Sequence, residues 1–318
     1  MVAPNGARKT QQDHPALPMS PAELAEEAWA CQQAGASAIH LHVRDSDNKH
    51  SLDVGRYREA IAAIREKCGA GIFIQATTEA VGIYTAAEQM KMVLELQPPS
   101  VSLAIREIVV EGEEAAAAAF LAEVEALGIL PQYILYDSND VENFNRLREQ
   151  GVVPSGPAFL LFVLGRYAKD QVSRPTDLLP FLAVREESDA WAVCAFGPLE
   201  HAAASTAIAM GGHVRVGFEN NLMLKNGKMA AGNADLVQQV FQVSEAIGRP
   251  VEQIVAHVII TRSKLAVGAS GVAILPVIGD LLALVVRTAQ HDAPIVTAIA
   301  GAQRTLTLFA IAQVHETI

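Results

Sequence analysis

The residues best suited to chemistry lie in one short stretch, Ile39-His40-Leu41-His42-Val43-Arg44-Asp45, where two histidines alternate with three aliphatics. Successive side chains of a strand point to opposite faces, so His40 and His42 share a face, with Cα atoms about 6–7 Å apart. Ile39, Leu41 and Val43 pack on the other face. That spacing lets two imidazoles reach one metal ion. It equally suits two core or loop histidines satisfied by hydrogen bonds, so a metal site needs a third ligand from elsewhere. Ala34-Gly35-Ala36-Ser37-Ala38 reads as a helix end turning into a buried strand, and Arg44-Asp45-Ser46-Asp47-Asn48 as the loop after it. The pair then sits near the carboxyl end of a strand, where α/β folds keep their chemistry.

The elements that position this stretch alternate along the chain. Met1 to Ala7 reads as the end of a very short strand and its loop. Ser20-Pro21-Ala22-Glu23 starts a helix, with Ser at the N-cap and Pro at the first position, running to about Gln33. Further strands fall at 36–42, 71–78, 100–104, 129–136, 158–164, 191–196 and 213–217. Helices fall at 53–67, 85–96, 113–127, 139–150, 176–185, 200–210 and 233–247. The strands are short apolar runs, as buried parallel strands are. Eight such units predict a (β/α)8 TIM barrel over residues 1–260 rather than a doubly wound sheet. There is no GxGxxG and no phosphate-binding P-loop. Residues 261–318 are mostly apolar and broken by Gly268, Gly271, Pro276, Gly279 and Pro294. They read as a C-terminal extension of one or two helices, with a packing or subunit-interface role left open.

Bulk composition excludes some partners. A chain of 318 residues with 51% hydrophobic residues can bury a barrel-sized core. A net charge of −11 without a basic run argues against nucleic acid. Cys31, Cys68 and Cys194 are scattered and read as buried thiols of a reducing cytoplasm. The apolar segment Val267 to Val286 is interrupted by Pro276 and Asp280, which argues against a membrane span.

The third ligand is expected at Glu219, two residues beyond Gly217 at the top of the last strand. In a closed barrel the ends of strands two and eight face one mouth. Two histidines and one glutamate leave an open coordination position, as in a catalytic Zn²⁺ site rather than a closed structural one. HLHVRD together with GGHVRVGFEN resembles the β-keto acid cleavage enzymes, as do the amino-terminal NGA…HPALP stretch, QATTEAVG and FVLG at 162–165. The resemblance covers roughly residues 3–250. It implies a (β/α)8 barrel with a divalent metal, usually zinc, that exchanges an acyl group between a β-keto acid and acetyl-CoA. It also implies a homo-oligomer.

Carried over residue by residue, the resemblance makes His40, His42 and Glu219 the metal ligands. Arg215 falls on the arginine of an Arg–Asp dyad that takes a proton. The aspartate of that dyad falls at Asn220, and an amide cannot act as a general base. Glu79, just beyond a strand end, is the candidate substitute. Thr77 and Ser102 fall where the family binds substrate through hydroxyls. Arg8 falls where relatives acting on an amino-bearing substrate carry a glutamate, and an arginine there suits a carboxylate or a neutral polar tail. His14, His50 and His201 read as loop or surface histidines, Cys194 as core, and Arg106-Glu107 as an exposed pair or part of the mouth. Two alternatives share the same ligands: another metal-dependent C–C lyase or hydrolase on this barrel, and a non-catalytic metal-binding relative.

Overall fold

The structure is a computed structural model and describes residues 1–249 and 251. The expected C-terminal extension and the apolar segment Val267 to Val286 lie outside the described residues. Nine strands are present among the described residues: β1 (Ala38–Leu41), β2 (Val43–Arg44), β3 (His50–Ser51), β4 (Phe73–Thr77), β5 (Ser100–Ala104), β6 (Leu130–Leu135), β7 (Phe159–Leu164), β8 (Ala190–Ala195) and β9 (His213–Arg215). Seven of them form one sheet in the order β1-β4-β5-β6-β7-β8-β9, all parallel.

Val2 closes the ring. It makes parallel bridges to Ile39 in β1 and to Val216 just beyond β9. Val2 N donates to Ala38 O at 2.8 Å, and Ala3 N donates to Val216 O at 2.8 Å. The first strand of the barrel is therefore a single bridged residue. With it the wall has eight staves, the (β/α)8 architecture that the alternation predicts.

The helices arise where the sequence places them. Ser20 caps the Pro21–Gln33 helix with a full capping box to Glu23, and Asp53 caps Val54–Cys68. Thr85 and Glu88 form a second box at the head of Ala86–Leu96. Glu114–Ala126, Ser138–Glu149, Glu200–Ala209 and Asn233–Ala246 follow their strands. The helix expected over 176–185 is instead a 3-10 turn at Pro175–Leu178 followed by Leu179–Val184. Pro175 and Pro180 explain this, since proline supplies no N–H to a helical ladder. Two features of the chain were not expected: a short helix at Ile105–Ile108 and the antiparallel β2–β3 hairpin.

Two apolar layers hold the wall. Ile39, Leu41, Ile74, Ala76, Leu160, Phe162, Trp191 and Val193 belong to the large core between sheet and helices. Ala38, Phe159, Leu161, Val163, Ala192 and Cys194 form a second cluster on the opposite face, inside the barrel. Strict alternation between the two sets is what a pleated strand buried on both faces requires.

Candidate metal centre and barrel mouth

His40 lies in β1 and His42 just beyond its last residue, Leu41, and their side chains turn to the inner face opposite Ile39 and Leu41. Their Nε2 atoms approach to 3.2 Å. Glu219, beyond β9, brings Oε2 to 3.6 Å from His40 Nε2 and 3.3 Å from His42 Nε2. One ligand atom from each residue lies within 4.8 Å of the other two. Both imidazoles are buried, and Glu219 is nearly so.

Backbone geometry delivers Glu219. Gly217 has φ 138°, and a Cβ there would meet Ala3 O at 2.4 Å. The chain thus passes close to the barrel's first strand before turning Glu219 into the mouth. Gly6, at φ 61°, packs against Glu219, and a Cβ there would lie 2.5 Å from Glu219 Cγ. Ala3 O accepts from Glu219 N at 3.1 Å, and Lys9 Nζ donates to Glu219 O at 2.7 Å.

Hydrogen bonds fix which nitrogens face the cluster. Gln75 on β4 donates through its amide nitrogen to Ser100 Oγ and Gln132 Oε1, so its carbonyl oxygen is the one 2.8 Å from His40 Nδ1. A carbonyl only accepts, so His40 carries its proton on Nδ1 and turns the Nε2 lone pair inward. Burial, then the Arg215 charge, pushes the His40 imidazole down to about 3, which keeps it neutral. Against burial, Arg215 holds the Glu219 carboxyl well below the usual carboxylate range. The cluster therefore sets a neutral His40 imidazole against a carboxylate.

These donors fit a divalent ion. The His40 Nε2 lone pair and the Glu219 Oε2 atom 3.6 Å away repel one another unless a cation lies between them. Glu219 Oε2 is buried and takes no hydrogen bond among the described residues. Two histidines and one carboxylate are the donor set of zinc and its first-row neighbours.

Arg215, on β9, is buried beside this cluster. Its Nη2 donates to Glu219 Oε1 at 3.0 Å and to Cys194 Sγ at 3.3 Å. Burial pushes the Cys194 thiol up to about 11, so it packs as a neutral core group. Asn220 is 2% exposed, and both polar atoms of its side chain lack partners among the described residues. Thr77 and Ser102 are register partners on β4 and β5, with their hydroxyls 3.4 Å apart. Glu79 stands at the rim, ion-paired with Arg8 and 4.0 Å from Arg166. Arg106 is drawn away to Asp137 and Asp140, while Glu107 accepts from Ala80 N at 3.0 Å.

Some positions differ from the sequence reading. His50 is not a surface histidine: it is buried, with Nδ1 3.4 Å from His42 Nδ1 and Nε2 2.9 Å from Glu79 O. The β2–β3 hairpin folds it back behind His42. His14 is buried too, held by Ala230 O at 2.8 Å and by Ala16 N at 3.1 Å. Gln75, Lys9, Arg166 and Glu200 also reach the site, with no motif in the sequence to mark them. Glu200 accepts from Gly217 N and from Asn221 Nδ2, each at 3.1 Å, and so braces the turn before Glu219. The sequence carries only a weak signal for His50: a third histidine eight residues after His42, across a turn-forming Asp-Ser-Asp-Asn.

A closed parallel barrel with a His–His–Glu cluster at the carboxyl end of its strands defines the class: a (β/α)8 enzyme with a candidate divalent-metal centre. Residues 1–257 match the family model of beta-keto acid cleavage enzymes. The chain belongs to that family. A relative from Fusobacterium nucleatum, 3-keto-5-aminohexanoate cleavage enzyme, is 35% identical over 254 residues, covering 77% of this chain and 90% of the relative. A relative from Cupriavidus necator, 3-oxoadipate:acetyl-CoA acetyltransferase, is 30% identical, covering 79% of this chain and 89% of the relative. The apo structure of ObcA shares the fold with a TM-score of 0.63 at 15% identity, over 78% of this chain and 65% of that one. Among the described residues no helix is long and apolar enough to cross a membrane.

Proposed function

We propose that this protein is an acyltransferase that exchanges an acyl group between a β-keto acid and acetyl-CoA, giving an acyl-CoA and acetoacetate. The observation that carries the proposal is the convergence of His40, His42 and Glu219 at the barrel mouth, in a chain of this family. Relatives named for acetyl-CoA-dependent transfer support the choice of co-substrate. When bound by these three residues, zinc or another divalent ion supplies Lewis-acid polarisation of the keto oxygen.

The chain's own groups take the following roles in this reading. Arg215 places a second positive charge against the region where cleavage leaves enolate charge. Asn220 offers an amide N–H to the same oxygen and cannot itself take a proton. Glu79 is the carboxylate assigned to proton transfer, and its pairing with Arg8 ties that step to the arrival of the substrate tail. Thr77 and Ser102 hydroxyls hold the substrate. Arg8 reads the distal end of the keto acid and favours a carboxylate or neutral polar group. Three free thiols, Cys31, Cys68 and Cys194, suit a reducing, cytoplasmic setting, and the family resemblance suggests a homo-oligomer.

A panel of β-keto acids assayed with and without acetyl-CoA tests the proposal. Acetoacetate and the matching acyl-CoA are expected together, only when acetyl-CoA is present, and with loss of both after chelation. Keto-acid loss that ignores acetyl-CoA would contradict the transfer and favour a lyase or hydrolase.

A further inference from the structure

The β2–β3 hairpin begins directly after His42, one residue beyond the end of β1, and it serves no part of the barrel wall. It is built with care for its size. Asp45 accepts from Asp47 N and Lys49 N, both at 2.8 Å, and Asn48 takes φ 61° to complete the reversal. Arg44, paired in register with His50, donates to the carbonyls of Gly6, Ala7 and Lys9. The hairpin's product is the placement of one buried imidazole, His50, against the outer edge of the His42 ring, with ring centroids 5.1 Å apart.

The direction of the hydrogen bonds follows from the one group in the chain that has no choice. Glu79 O is a backbone carbonyl and only accepts, so His50 carries its proton on Nε2, 2.9 Å away. A neutral imidazole has one proton, which leaves His50 Nδ1 as an acceptor. His42 Nδ1 faces that acceptor at 3.4 Å and therefore donates. The lone pair of His42 then sits on Nε2, the atom that meets His40 Nε2 and Glu219 Oε2. We propose that His50 is the positioning residue of the metal centre: its Nδ1, facing His42, holds His42 in its ligating tautomer and ring orientation. Gln75 does the same for His40. The two ligands are thus braced from opposite sides, one by an amide and one by a second histidine. This inference rests on the proposed metal centre.

The test is Zn²⁺ affinity of the full-length protein, measured by competition with a chromophoric chelator. Wild type should bind one equivalent. His50→Phe fills the space without an acceptor and should bind about 10–100-fold more weakly. His50→Asn keeps an oxygen acceptor near His42 Nδ1 and should recover most of that loss, while thermal midpoints of the metal-free variants do not follow the same order. Equal affinity of wild type and His50→Phe would overturn the role of His50 and leave the metal centre standing. Equal weakening in both variants would overturn it too, by making His50 a packing residue. Wild type without bound zinc would remove the centre itself and this inference with it. Should His50→Phe not fold, ¹⁵N-histidine spectra of zinc-loaded wild type decide the matter: His42 protonated at Nδ1 supports the proposal, and His42 protonated at Nε2 refutes it.

Discussion

The two sides of the barrel interior differ sharply. On β1, β4 and β5 the inward residues include the polar side chains of His40, Gln75, Thr77, Ser100 and Ser102, all buried. On β7 and β8 they are Phe159, Leu161, Val163, Ala192 and Cys194. One side is a hydrogen-bonded network running from His40 through Gln75 to Ser100 and Gln132. The other is apolar packing in a six-residue register between β7 and β8. A buried polar group costs free energy unless it is paired, so the polar side persists only as a satisfied network. Among the described residues, its unpaired atoms include Gln132 Nε2 within the network and Arg215 Nε, Glu219 Oε2 and the Asn220 amide at the His–His–Glu triad. The apolar side supplies rigidity, and the polar side, closed through Val2, supplies chemistry.

Breaking the polar side at its centre should have the largest effect. His40→Ala or His42→Ala removes a donor whose bound ion is assigned several kcal/mol of charge stabilisation, so acyl transfer should fall on the order of 10³-fold. Steady-state rates with acetyl-CoA in excess check this, and a variant within tenfold of wild type would contradict it. On the apolar side, Leu161→Ala leaves a cavity in a fully buried position and should cost about 2–5 kcal/mol of stability with metal content unchanged. Urea unfolding with parallel metal analysis measures both; a loss of metal without a loss of stability would blur the contrast between the two sides.

Smaller effects sharpen it further. Gln75→Leu keeps the volume but removes the acceptor behind His40, and metal affinity should weaken about 10–100-fold, with about 1–3 kcal/mol of stability lost because Gln132 Oε1 loses its donor. Isothermal titration of the metal-free protein reads this out. Arg8 lies exposed at the rim, outside both halves, so Arg8→Glu should leave metal binding intact. It should shift kcat/KM toward amino-bearing β-keto acids by roughly tenfold, the scale of a single charge contact. An unmoved substrate profile would show that Arg8 does not read the tail.

How much of this was legible in the sequence depended on the signal each residue left. Period-2 spacing exposed His40 and His42, because an imidazole pair stands out among aliphatics. The barrel was legible from repeated short apolar runs and from caps such as Ser20-Pro21 and Asp53. Glu219 was readable only because the last strand's end could be placed at the same mouth as β1. Gln75 was hidden: β4 is buried on both faces, so periodicity does not separate its inner from its outer residues. His50 was hidden by its surroundings, since Asp45 to Lys49 looks like a solvated loop and the hairpin that buries His50 spans only two residues per strand. Arg166 and Lys9 meet the site through folding alone, far in sequence from the residues they approach.

The central claim is that His40, His42 and Glu219 seat one divalent cation. Elemental analysis of the purified protein, joined to anomalous scattering from its crystals, tests it most directly. The account predicts one transition-metal ion per chain, bound by His40 Nε2, His42 Nε2 and a Glu219 oxygen at about 2.0–2.2 Å. A protein that stays metal-free when offered Zn²⁺, Co²⁺, Ni²⁺ and Mn²⁺, or an ion held by other side chains, would contradict it.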